Sequence, residues 1–139
     1  MADGFALALQ KGLRAALAAD AGVAALVSGR IYDEPPQNVT FPYIRFGDIT
    51  PNAFDTDTAL GASVDISIEV HSRSASGRVE AARIVEAVRA ALHRQEASVT
   101  VAGHTLVELI FQVFSVTRDD EGRGHTAVIA LQAMLEEIA

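Results

Sequence analysis

The apolar positions of this chain follow two rhythms, one repeating every ~3.6 residues and one every second residue, the signatures of helix and strand. Phe5, Leu9, Leu13, Ala16 and Leu17 lie three or four apart, which predicts a helix over residues 5–19 capped by Asp3. Asp20 is placed to cap a second, short helix over 21–27, and Gly29 to end it, since glycine tolerates the left-handed conformation that follows a helix. A short apolar bead at Ile31-Tyr32 follows, and Pro35, Pro36 and Pro42 keep the chain extended. Residues 43–50 read as a strand and 51–61 as a polar, irregular connection. In 62–71, Val64, Ile66, Ile68 and Val70 alternate with Asp65, Ser67, Glu69 and His71, so one face is buried and one is wet.

The rhythm then changes. Ser74 to Gly77 opens a helix predicted to run to about Arg94, with Ala81, Ile84, Val85, Val88, Ala91 and Leu92 on one side. Its other side pairs Glu80 with Arg83 and Glu86 with Arg89 at a spacing that supports exposed helices. Residues 99–101 and a turn at Ala102-Gly103 suggest a small hairpin into a long strand, 104–118, on which Thr105, Val107, Leu109, Phe111 and Val113 form one face. A polar turn at 119–124 leads to a closing strand, 125–135. The order α, α, β, β, α, β, β, β predicts an α+β fold. Its sheet is mixed, mostly antiparallel, with four to five strands, and the N-terminal helices and the long amphipathic helix pack on one face.

At 139 residues the chain is expected to form one domain over 1–139. Half of it is hydrophobic, which provides for a packed core. With no cysteine, disulfides and thiolate metal sites are excluded. No apolar run reaches ~18 residues, so no membrane span is expected. The net charge is −7, and Lys11 is the single lysine beside ten arginines, so a generic phosphate grip is not expected. The charge is unevenly spread. Residues 31–72 hold Asp33, Glu34, Asp48, Asp55, Asp57, Asp65 and Glu69 against Arg45, whereas 73–98 hold Arg73, Arg78, Arg83, Arg89 and Arg94 against three glutamates. Such a dipolar surface favours head-to-tail association of copies.

Motifs for chemistry are missing. Gly122-Arg123-Gly124 lacks the rest of a phosphate loop and reads as a turn. Asp55-Thr56-Asp57 is followed by Ala59, Leu60 and Ile66 where a calcium loop needs an oxygen ligand, a glycine and a glutamate. His71, His93, His104 and His125 have no zinc spacing. Gly61-Ala62-Ser63-Val64-Asp65 lacks the last glycine of a nucleophile elbow. No catalytic, cofactor or metal residue is assigned, and no enzyme is expected.

One pattern does point somewhere. Ala24-Ala25-Leu26-Val27-Ser28-Gly29-Arg30-Ile31-Tyr32-Asp33 precedes Pro35-Pro36 and Phe41-Pro42-Tyr43-Ile44. Then come the strand at 64–71, the helix at 80–92, Val101-Ala102-Gly103-His104, and a last hairpin after Arg118-Asp119-Asp120-Glu121-Gly122. In order and spacing this resembles the small tail-completion or tail-terminator proteins of long-tailed phages and their relatives in prophages and gene transfer agents. The resemblance covers nearly the whole chain.

It implies a structural virion protein, assembled in the bacterial cytoplasm. Such a protein forms a ring, usually of six copies, on the last ring of the tail tube, stops its polymerisation and offers a surface to the head connector or stopper. Its expected partners are thus itself, the tail tube protein and the connector, with DNA passing through the lumen without specific binding and no membrane involved. The expected tube or connector contacts lie in the two polar loops, at Asp55, Asp57, Asp119, Asp120, Glu121 and Arg123. The expected ring contacts are Arg78, Arg83 and Arg89 against Asp48 of a neighbour. Competing expectations are a head-closure or adaptor ring of the same particle, and a small intracellular domain that binds a ligand or acts as an enzyme.

Overall fold

The computed structural model describes residues 4–53, 60–74, 77–119 and 124–138. Two helices open the chain, α1 (Phe5–Ala19) and α2 (Ala21–Val27). The expected Asp3 cap lies outside the described residues, and Gly4 occupies the N-cap position of α1. Asp20 does cap α2: its carboxylate accepts the Val23 N–H at 3.0 Å, satisfying one of the donors every helix start leaves orphaned. The left-handed turn after α2 begins one residue early, at Ser28 (φ 51°), and continues through Gly29 (φ 78°).

Among the described residues five strands form one sheet in the order β1-β2-β3-β5-β4: β1 (Ile31–Tyr32), β2 (Tyr43–Ala53), β3 (Gly61–Ser72), β4 (His104–Arg118) and β5 (His125–Glu137). Only β1, the apolar bead, runs parallel to its neighbour β2, so the sheet is mixed and mostly antiparallel. The predicted 51–61 connection is shorter than expected, because β2 continues to Ala53 through Pro51, opposite Val64. Proline is tolerated there because, among the described residues, no strand pairs with the outer side of β2 at that point.

All three helices pack on one face. α1 lies over β2 and β3, while α3 (Val79–Leu92) spans β3, β5 and β4. Val64, Ile66, Ile68 and Val70 of β3 and Ile129, Leu131 and Leu135 of β5 meet Leu9, Leu13 and Leu17 of α1 and Ile84, Val85, Val88 and Leu92 of α3. Each such side chain contributes roughly 1.5–3 kcal/mol over its exposed state. α1 comes closest where Gly12 meets the backbone of Thr100; a Cβ at Gly12 would overlap the Thr100 carbonyl oxygen.

Three further expectations need correction. First, 99–101 is not a strand. A 3-10 turn (Glu96–Ser98) leads into it, and Val99 and Val101 plug the core. Second, α3 starts at Val79 and ends at Leu92; Arg94 has already turned left-handed (φ 56°). Third, the continuous face proposed for β4 is broken by two bulges, between Leu106 and Glu108 and between Phe111 and Val113. Each bulge inserts one residue and reverses the alternation. Leu109 and Phe111 therefore face the helices with Ala133 and Leu131, whereas Thr105 pairs with Glu136 on the opposite side.

Candidate interaction surfaces

The face of the sheet away from the helices carries no covering element among the described residues. It is lined by Ser63, Asp65, Ser67, Glu69 and His71 of β3 and by Thr126, Val128, Ala130 and Gln132 of β5, the residues out of phase with the core. Arg45 and Thr50 of β2 lie in register on the same face. At the bulge in β2, Gly47 presses onto Ser67 and Glu69, where a Cβ would not fit, and the Asp48 N–H donates to the Ser67 hydroxyl at 2.9 Å. Asp48 and Asp65 then flank a groove floored by Ser67, Val128 and Ala130.

Beside that groove a polar chain crosses β2, β3 and β5 and ends at Asp119, just past β4. Arg45 pairs with Glu69 at 3.7 Å, and Glu69 contacts His71 Nε2 at 2.9 Å. His71 Nδ1 lies 3.3 Å from the Thr126 hydroxyl, which donates to Asp119 at 2.7 Å. Tyr43 stacks on His71 with centroids 4.8 Å apart, and Arg73 sits 4.3 Å over the ring of Phe41. Burial pushes the Tyr43 phenol above its usual pKa, although the positive charges of Arg45 and Arg73 pull the other way.

This chain of contacts fixes the two ends of the 119–124 segment. Asp119 N–H donates to Gly124 O at 2.8 Å, joining those ends, while its carboxylate holds Thr126. Gly124 is buried against the Ser72 carbonyl, which a Cβ would overlap. Of the residues expected to meet the tube or connector, Asp119 is thus a structural anchor. Asp55, Asp57, Asp120, Glu121 and Arg123 lie outside the described residues.

The residues expected in the ring contact separate onto two flanks. Arg83 and Arg89 are exposed on α3, and Arg78 is exposed at its N-cap. The expected Glu80–Arg83 pair does not form, because Glu80 accepts instead from Ser72 at 2.7 Å. Among the described residues these three arginines make no ion pair. Asp48 is exposed on β2, at the other flank.

Sequence reasoning missed the two sheet edges. β4 is an outer strand, and its first half is sealed by the segment after α3. There Glu96 accepts the Leu109 N–H at 2.9 Å, His93 accepts the Phe111 N–H at 3.0 Å, and Arg94 N–H donates to Leu109 O at 2.9 Å. Among the described residues nothing seals its second half, 113–118, where Phe114 is 40% exposed. On the far side β1 covers Ile44 and Arg45, and among the described residues no strand pairs with the outer side of 48–53. The alternation of β4 hinted at a half-buried strand, but no local signal marks an edge.

Among the described residues no cluster of histidine and carboxylate side chains suits a metal ion, and no helix is long and apolar enough to cross a membrane. Comparison with curated proteins yields no match. Among solved structures the chain is similar to one in the virion of a native gene transfer agent particle. The TM-score is 0.85 and the identity 27%, over 96% of this chain and 99% of that one. Residues 11–136 match the family described as tail completion protein gp17. That span takes in both flanks, the polar chain and every core strand, and the protein belongs to this family of structural virion proteins, which are not enzymes.

Proposed function

We propose that this chain is a tail terminator: a ring of copies, six by the resemblance of its sequence, that caps the last ring of the tail tube, stops its growth and presents a joining surface to the head connector. The observation that carries this reading is the match over almost the full length of both chains to a component of a gene transfer agent virion, within the tail completion family. The particle is accordingly its site of action.

The distribution of charge supports a ring. Arg78, Arg83 and Arg89 on the α3 side and Asp48 on the β2 side give the molecule a basic and an acidic flank. Unlike flanks that meet head to tail close a ring by rotation, whereas like flanks would repel. The open sheet face contributes Asp65 and Glu108, acidic groups that suit a lumen through which DNA slides without sticking. The segments carrying Asp55 and Asp57 and carrying Asp120, Glu121 and Arg123 are the proposed contacts with tube and connector, the second of them preceded by Asp119 on the polar chain.

A direct test adds the purified chain to polymerising tube protein and inspects the tubes by negative-stain microscopy. Short tubes that end in a ring are expected. Tubes that grow unchecked, with the chain bound instead to isolated connectors, would move the protein to the head side of the joint.

A further inference from the structure

The ring needs a specific joint, and the two open edges supply one. We infer that neighbouring copies join edge to edge, the second half of β4 in one copy pairing antiparallel with the outer side of residues 48–53 in the next. This rests on the ring reading and specifies its interface.

Four observations converge. The first is selective protection. Natural proteins cover or blunt sheet edges because an exposed row of N–H and C=O groups templates pairing. Here the segment 93–96 seals β4 at Leu109 and Phe111 and stops, leaving 113–118 without proline or lysine and with an exposed phenylalanine.

The second is polarity. β2 runs antiparallel to β3, β3 to β5 and β5 to β4. Placing identical sheets side by side in one orientation therefore sets β4 antiparallel to the β2 of the next copy, the stronger ladder. The third is charge. Arg118 closes the free stretch of β4 and Asp48 opens that of β2, so antiparallel pairing brings these two ends together.

The fourth is stagger. Within one copy Thr117 stands level with Tyr43, through Thr126 and His71. The two free stretches are thus offset by about six residues along the strands, or ~20 Å, across the four strands β2-β3-β5-β4 that such a joint repeats, ~19 Å wide. Joining them tilts the strands by about 45° from the ring axis, at the upper end of the ~35–45° typical of a closed barrel. Copies joined without stagger would instead bring the sealed half of β4 against the free half of β2, and His93 and Glu96 already hold those donors. Pro51 removes one donor from the β2 edge, which discourages that edge from pairing with itself.

The chain contains no cysteine, so paired cysteines report the joint cleanly. Asn52→Cys with Ser115→Cys places both thiols on the open face in the staggered register, whereas Thr50→Cys with Ile110→Cys matches the level, unstaggered one. Both double variants are expressed in particle-producing cells, oxidised, and run on denaturing gels, with rings counted by microscopy. The staggered pair is expected to move most of the chain into a ladder of linked multimers, and the level pair and all single variants to stay monomeric. Rings that are present while the staggered pair fails to link, or linkage by the level pair, would overturn the edge joint and leave the ring standing. Absence of any ring would overturn both.

Discussion

Residues with little to say in the sequence hold the candidate loop in place. Gly124 has no room for a side chain because the Ser72 carbonyl fills that space. Gly124→Ala should therefore cost about 1–3 kcal/mol in a denaturant titration, with no change in helix content. Thr126→Val removes the hydroxyl between His71 and Asp119 and should cost ~1 kcal/mol, less if water refills the site. Tyr43 makes a prediction about pH. Its phenol is held above the ordinary value of 10.0, chiefly by burial, so the folded state binds that proton more tightly than the unfolded one. Its contribution is complete below about pH 10 and is lost as pH rises through the raised folded value. Tyr43→Phe should flatten that alkaline fall, as read from melting curves taken from neutral pH upward. The side chains in this network were visible in the sequence, but their convergence was not. His71, Thr126 and Asp119 meet only because β3 and β5 pair in one particular register, which no local pattern specifies.

At the scale of elements, periodicity located α1, β3, α3 and β5 to within a few residues, since each buries one clean face against the core, and the Asp20 cap with Gly29 located α2. Periodicity failed on β4, where two bulges reverse the phase, and on 99–101, where Val99 and Val101 plug the core without strand pairing. Gly12 belongs to the same class of hidden feature, because its role depends on Thr100, a residue far away in sequence. Gly12→Ala should push α1 off that backbone and lower stability by about 1–3 kcal/mol, despite alanine being the better helix former. The seal on β4 is a second element-level device. Glu96→Ala frees the Leu109 N–H and lengthens the open edge, so the variant should self-associate at concentrations where the parent does not, as measured by light scattering.

The described residues form a single sheet with helices on one side, an acidic open face on the other, and two flanks of unlike charge and matching strand polarity. The family was legible from the order and spacing of turns and prolines, because those fix where the chain reverses. The joint was not legible, because an edge is defined by what fails to pair. If the flanks meet, Arg83→Glu with Arg89→Glu should weaken the ring and leave the melting temperature nearly unchanged, since both side chains are exposed and unpaired within the chain among the described residues. Ring occupancy on tube ends, counted by microscopy at low and high salt, checks this. The measurement that tests the central claim most directly is tail length, by negative-stain electron microscopy, in particles made without this chain. Overlong tails without heads are the predicted result; tails of normal length on intact, infectious particles would contradict the terminator role.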